Sequence, residues 1–269
     1  MWWIIALVLA LVCVLYLLAI RCRNGQKRMA QLEKFDYAHR GLHGGGIPEN
    51  SMAAFRAAKE KGYGIELDIH LLADGELAVM HDSALKRTTG AEGRIEDLTA
   101  EQLKNYRLEG TEETIPLLSD VLALFEDATP LIVELKAEGN QAKLAHAACE
   151  MLDKFNVKYC IESFDPRCIR WLKKNRPDII RGQLASNFIK SKEKFPFVLN
   201  FAMTHNLLNF LSVPDFVSYK FDDRKDTLSN FLCRKLWGAK MAGWTIRDAN
   251  TQKAVKEKGW ISIFEKFEP

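Results

Sequence analysis

The sequence predicts an α/β protein: a (β/α)8 TIM barrel with a small insertion after the second strand, preceded by one N-terminal transmembrane helix. Three observations lead there. The chain has 269 residues, and barrels of this type use about 250. Eight short apolar runs alternate with helix-like stretches along it. An unbroken apolar run, residues 2–20, stands before all of them.

That run is 19 residues long. At roughly 1.5 Å per residue a helix of this length reaches about 28 Å, close to the hydrocarbon thickness of a bilayer. Trp2 and Trp3 suit one interface and Tyr16 approaches the other. A cleaved signal peptide wants positive charge before the apolar run and a small-residue site after it. Here no Lys or Arg precedes the run, and Arg21 stands directly before Cys22, which does not suit lipid attachment there. The expectation is an uncleaved anchor over 1–21, a basic and polar connector over 22–34 and a barrel over 35–269. Arg21, Arg23, Lys27 and Arg28 follow the run at once. The positive-inside rule then places the protein at the cell membrane with its barrel in the cytoplasm.

The eight predicted strands are 35–39, 64–71, 131–136, 159–164, 179–184, 216–221, 240–245 and 260–264. Most are too apolar for one face to be wet, as expected of strands covered by helices. Helices are predicted over 51–61, 141–155, 166–175, 229–238 and 250–259, the first opening on a Ser51 cap and ending at Gly62. The interval between the second and third strands is too long for one loop and helix. It holds a further short strand, 76–81, after the turn Asp74-Gly75, so 72–117 reads as an insertion at the catalytic end. Periodicity alone leaves an open doubly wound sheet as the alternative.

Net charge is +3, but residues 1–30 carry four basic side chains and no acid, leaving the remainder at −1. A near-neutral body argues against nucleic-acid binding. The six cysteines are scattered without a CxxC pair, which suits reduced thiols rather than a disulfide framework or a zinc site.

The chemistry lies in polar residues set inside apolar strands. Glu66 and Asp68 share one strand face, with His70, because strand side chains alternate. Two carboxylates there are costly unless a cation pairs them, and that cation is either Lys or Arg or a hard divalent ion such as Ca²⁺ or Mg²⁺. Glu134 repeats the anomaly one strand along, and with it the metal reading gains. Lys136, on the same face as Glu134, supplies a positive charge for an anionic oxygen. His39 ends the first strand beside Arg40-Gly41, and His81 ends the short insertion strand beside Asp82. Histidine titrates near neutrality, so such a pair serves as base and acid. Arg40 offers a fork of donors suited to phosphate.

These segments resemble the glycerophosphodiester phosphodiesterase family. The resemblance rests on Ala38-His39-Arg40-Gly41, Pro48-Glu49-Asn50-Ser51, Glu66-Leu67-Asp68-Ile69-His70, Asp74-Gly75, Val79-Met80-His81-Asp82, Val133-Glu134-Leu135-Lys136, Ser163-Phe164-Asp165 and Gly243-Trp244-Thr245, in family order. It implies a TIM barrel with an insertion after the second strand. It implies metal ligation by Glu66, Asp68 and Glu134, acid–base roles for His39 and His81, and contacts of Arg40, Glu49 and Lys136 with phosphate or metal. Trp244, Phe164 and Trp260 are candidates to wall the headgroup or to pack in the core. The chain departs from the pattern after Thr245, where Ile246 and Arg247 follow, at the closing Ile263-Phe264-Glu265, and in Leu42-His43-Gly44-Gly45-Gly46. These positions bear on substrate choice more than on chemistry.

The expected reaction is metal-dependent hydrolysis of a glycerophosphodiester to glycerol 3-phosphate and an alcohol, with one divalent cation, Ca²⁺, Mg²⁺ or Mn²⁺. The competing readings are a lysophospholipase D-like hydrolase acting on membrane lysophospholipids and a non-catalytic membrane-tethered barrel. A sugar-processing barrel uses paired carboxylates too, but leaves Arg40 and Lys136 unexplained.

Overall fold

A computed structural model describes residues 1–191 and 195–269, with side chains other than those of 224–226. Its elements run α1 (Trp2–Ala19), β1 (Tyr37–His39), α2 (Met52–Glu60), β2 (Gly64–Leu71), β3 (Leu77–Val79), α3 (Lys86–Thr89), α4 (Ala100–Leu103), α5 (Leu118–Phe125), β4 (Leu131–Leu135), α6 (Gln141–Leu152), β5 (Tyr159–Ser163) and α7 (Pro166–Asn175). They continue as β6 (Arg181–Ala185), α8 (Phe188–Ser191), α9 (Phe197–Thr204), α10 (Asn209–Ser212), β7 (Phe216–Lys220), α11 (Leu228–Lys235), β8 (Lys240–Ile246), α12 (Ala249–Glu257) and β9 (Ile261–Phe264).

Eight of the strands pair in parallel around a closed ring, β1-β2-β4-β5-β6-β7-β8-β9, and β9 returns to β1. β3 pairs antiparallel with β2 outside the ring. The predicted barrel is thus present, with each predicted strand at its place in the ring. Helix starts follow local chemistry. Ser51 Oγ accepts the Ala54 N–H at 3.1 Å, Asp165 caps α7 ahead of Pro166, and Asp248 Oδ1 accepts the Thr251 N–H at 2.9 Å.

Six of the named helices between the strands were not read from the sequence: α3 and α4 in the insertion, α5, and α8, α9 and α10. α5 closes the long second crossover, and its buried residues Leu118, Val121, Leu122 and Phe125 mark an amphipathic face that a short helix shows only weakly. α8, α9 and α10 lie between β6 and β7. Residues 72–117 carry a small apolar cluster of their own, centred on Met80, Leu85, Ile95 and Leu103. The segment 20–35 lies across the base of the barrel, where Ile20, Cys22, Met29 and Leu32 are buried. Its backbone joins strand starts on the far side: Arg23 N–H donates to the Pro214 carbonyl at 2.8 Å and Gly25 N–H to that of Gly238 at 3.2 Å. α1 itself stands clear of the barrel until Tyr16 and Leu17 reach the core.

Candidate active site

Strand register assembles the mouth. His39 on β1 stands opposite Glu66 on β2, Asp68 opposite Glu134 on β4, and Glu134 opposite Glu162 on β5. Side chains of one parity point inward, so neighbouring strands deliver a row of carboxylates to one place. Ligand oxygens of Glu66, Asp68 and Glu134 all lie within 4.8 Å of one another, and all three residues are buried.

Lys136 Nζ sits 2.9 Å from Asp68 Oδ1 and 2.8 Å from Glu134 Oε1. Asn50 Nδ2 donates to Asp68 Oδ2 at 2.9 Å. The Arg40 backbone N–H donates to Glu66 Oε2 at 3.1 Å, while its side chain donates to Glu49 Oε1 at 2.8 Å. Arg40 takes a φ of 56° and Gly41 one of 79°, and a Cβ on Gly41 would lie 2.8 Å from that of Ala54. The tight turn that aims Arg40 at the carboxylates therefore depends on glycine.

The electrostatics show an unbalanced set. Burial, and then the charges of Asp68, Glu134 and Glu162, push Glu66 well above the usual carboxylate range. Burial pushes Glu134 up to about 7 against the pull of Lys136, and burial with Glu134 raises Glu162. Asp68 is held low despite its burial by Lys136, His81 and Arg40. Four buried carboxylates thus face two cations, Lys136 and Arg40. Glu162 Oε2 is buried without a hydrogen-bond partner. Oxygen donors in negative surplus around one point fit a hard divalent cation.

Each histidine is held through Nδ1 by a carboxylate. His39 Nδ1 is 2.7 Å from Glu265 Oε2, and Glu265 Oε1 accepts from Arg247 Nε at 2.7 Å. His39 Nε2 then faces the carboxylates, 3.9 Å from Glu66 Oε2. His81 Nδ1 is 2.5 Å from Asp82 Oδ1, and Arg87 joins Asp82 to Glu49, its Nη2 donating to Glu49 Oε1 at 2.6 Å. His70 steadies this loop, with Nδ1 on Glu96 Oε1 at 2.7 Å and Nε2 on the His81 carbonyl at 3.3 Å. Burial lowers His39, opposed by its bond to Glu265, and lowers His81 to about 4. His39, His43 and Glu265 also gather ligand atoms within 4.8 Å, but Arg247 already supplies the positive partner of that carboxylate.

A cavity of about 350 Å³ opens above this set. His39, His81, Glu66, Glu134, Lys136, Arg40 and Glu49 line it, while Asp68 lies beneath. Phe164, Leu184 and Trp244 form its apolar wall, and Trp244 Nε1 donates to the Ser218 carbonyl at 3.1 Å. Lys220, Arg247 and Lys266 add positive charge around it.

Sequence reasoning passed over Glu162 and Glu265 as site residues. Glu162 carries the signal already used for Glu134, a carboxylate inside an apolar strand. Glu265 was noted only as a departure from pattern, because its partners His39 and Arg247 are 226 and 18 residues away.

A sequence profile of the Glycerophosphoryl diester phosphodiesterase family matches residues 39–265. A glycerophosphodiester phosphodiesterase of Caldanaerobacter subterraneus is 37% identical over 160 residues, which cover 55% of this chain and 65% of that relative. The chain thus spans just under two thirds of that relative's length. Human glycerophosphodiester phosphodiesterase 1 is 31% identical over 243 residues, covering 78% of this chain and 70% of the relative. Among solved structures, an Oleispira antarctica phosphodiesterase in complex with the product sn-glycerol-3-phosphate superposes with a TM-score of 0.70 at 25% identity, over 86% of this chain and 92% of that one. With the barrel, the carboxylate row and the two histidines at its mouth, the chain belongs to the glycerophosphoryl diester phosphodiesterase family.

Proposed function

We propose that the chain is a membrane-anchored hydrolase that cuts glycerophosphodiesters into glycerol 3-phosphate and an alcohol. The observation that carries this is the convergence of Glu66, Asp68 and Glu134 with two carboxylate-held histidines around one cavity that also holds Arg40 and Lys136.

Glu66, Asp68 and Glu134 would hold one divalent cation, Ca²⁺, Mg²⁺ or Mn²⁺. Bound there, it supplies Lewis acidity at a phosphoryl oxygen. Arg40 and Lys136 neutralise charge on the phosphate as the transition state forms, and Glu49 keeps the Arg40 fork in place. Glu265 accepts the Nδ1 proton of His39, so the free lone pair of His39 lies on Nε2, toward the carboxylates. One histidine takes the proton of the attacking oxygen, from water or a neighbouring substrate hydroxyl. The other donates a proton to the alcohol oxygen as its bond to phosphorus breaks. Trp244 and Phe164 give the headgroup an apolar wall, with ring centroids 5.7 Å apart.

The same reading takes residues 1–21 as a single-pass anchor, 22–34 as a connector and 35–269 as the barrel, on the cytoplasmic side of the cell membrane. It rests on the apolar helix Trp2–Ala19, none of which is buried, and on the basic residues after it. Hydropathy and length alone also suit a signal sequence, so the uncleaved N-terminus is part of the proposal.

The test is incubation of the full chain with glycerophosphocholine, with EDTA or with added Ca²⁺ or Mg²⁺, and assay of glycerol 3-phosphate. Metal-dependent release that Glu66→Ala abolishes is the expected result. Cleavage of lysophosphatidylcholine alone moves the protein to the lipid-acting reading, and silence on both substrates overturns the enzyme reading.

A further inference from the structure

Apart from α1 and the Met1 before it, every large apolar side chain that stands exposed among the described residues falls between 189 and 236. This is the stretch from the end of β6 to the turn before β8. Single exposed leucines need no explanation, but a contiguous apolar face does.

Buried polar groups join the elements that carry these side chains. Asn206, just after α9, donates from Nδ2 to Ser229 Oγ at 3.2 Å and to Asn230 Oδ1 at 2.8 Å on α11. Asn209, which opens α10, donates to Cys22 Sγ at 3.4 Å and to Cys233 Sγ at 3.8 Å, and Cys233 donates to the Ile20 carbonyl at 3.4 Å. The end of α1, α10 and α11 therefore meet at one joint. The outer faces around it carry Phe197, Val198 and Phe201 on α9, Phe210 on α10, and Leu228 and Phe231 on α11. Each of these is between 43% and 78% exposed. Spacings of three and four residues set each group on one side of its helix.

Positive charge borders the joint. The Arg21 guanidinium lies 5.9 Å from the Trp237 ring centroid. Lys173 Nζ on α7 donates to the carbonyls of Phe210 and Leu211 at 3.1 and 3.2 Å. Burial lowers the pKa of Lys173, and so do Arg181, Arg21, Arg170 and Lys174 near it.

We infer that the α9–α11 flank rests in the interfacial layer of the bilayer that α1 enters, so that the barrel touches the membrane sideways as well as through its anchor. This rests on the anchor reading of α1. A second copy or a partner protein would also cover an apolar face. Neither accounts for a face that begins where α1 leaves the barrel, with cations placed where anionic headgroups would lie. The flank also leads to the mouth. Ile189 at its upper end follows buried Phe188, whose ring meets Phe164 at 5.9 Å, and Phe164 meets Trp244 at the cavity wall. An apolar-tailed phosphodiester would thereby reach the site along an aromatic row.

The test uses the full chain in phosphatidylcholine–phosphatidylglycerol vesicles with spin labels, read by collision with oxygen and with a water-soluble nickel chelate. Cys13 is exposed and the other five cysteines are buried, so a label on Cys13 reports the anchor. In a Cys13→Ser background, Val198→Cys and Phe231→Cys report the flank, and Glu60→Cys on the opposite side of the barrel gives the aqueous reference. The expected result is an oxygen-to-nickel ratio several-fold higher at 198 and 231 than at 60. Ratios equal to that at 60, with Cys13 in lipid, overturn the flank and leave the anchor standing. Loss of access to both reagents at 198 and 231 means a protein cover, such as a second copy, and also overturns it. An aqueous Cys13 removes the anchor reading itself.

Discussion

The barrel buries charge at both of its ends, and the two ends treat it differently. At the base, Asp215 is fully buried but answered on every side. It takes Arg23 Nε at 2.7 Å and Nη2 at 2.5 Å, Arg28 Nε at 3.1 Å and the backbone N–H of Arg181 at 3.1 Å. Arg23 also donates to the Pro177 carbonyl and Arg181 to those of Ser212 and Val213. At the mouth, among the described residues, Glu66, Asp68, Glu134 and Glu162 face two permanent cations, Lys136 and Arg40, and Glu162 Oε2 has no hydrogen-bond partner. Burial of charge is therefore not itself a sign of function; what counts is whether each buried carboxylate has its partner, as Asp215 has at the base. At the base the surplus charge is positive and sits on Arg23 and Arg28, whose side chains reach solvent; at the mouth the surplus is negative and buried, which suits a bound cation.

Exchanging a charge at each end should separate the two roles. Glu66→Gln or Glu134→Gln is expected to lower turnover by at least about 10³-fold, the worth of several kcal/mol of transition-state charge stabilisation. The same change should leave the EDTA-treated protein as stable as before or more so, since it removes a repelled carboxylate. Asp215→Ala should do the reverse. It takes the carboxylate from the part-exposed Arg23 and Arg28 and the acceptor from the buried Arg181 N–H, at a cost of about 1–3 kcal/mol, while the protein that stays folded keeps its turnover. Chemical denaturation alongside kinetics reads both, and a destabilised Glu134→Gln would refute the contrast.

His39→Asn and His81→Asn come next, each expected to cost about 10²–10⁴-fold in kcat. Glu265→Gln is expected to cost about 10²-fold, the low end of that range, because His39 loses the acceptor that holds its tautomer. Its KM should change little, and Glu265→Asp should recover part of kcat. An unchanged kcat would demote Glu265 to a partner of Arg247. Smallest is the flank. Phe197→Ser with Phe201→Ser and Phe231→Ser should slow cleavage of a lysophospholipid held in vesicles several-fold and leave soluble glycerophosphocholine untouched. Equal rates on both substrates would separate the flank from substrate delivery.

Much of the mouth was legible because its residues break a local pattern. A carboxylate inside an apolar strand is conspicuous at Glu66, Asp68 and Glu134, and was equally so at Glu162. Glu265 was not legible as a partner, since its role depends on β9 closing against β1 and bringing it to His39. Arg23 and Arg28 were read as charges flanking a membrane span. In the fold they also tie the chain to Asp215 at the start of β7. The apolar faces of α9 and α11 were missed because neither helix is long enough for its exposed side to stand out by period.

By itself the sequence determined the eight strands, the apolar helix before them and the residue types the chemistry needs, while periodicity left the sheet open or closed. Those are local properties: apolar runs of strand length, capping residues, and charge placed where burial makes it costly. Only the tertiary structure decided which of these charges meet. Ring closure fixes strand register, which put Glu162 beside Glu134 and Glu265 beside His39, while the 20–35 segment crossing the base brought Arg23 to Asp215. It also decided that one side of the barrel stays apolar where α1 departs, a property of packed helices that no single segment carries.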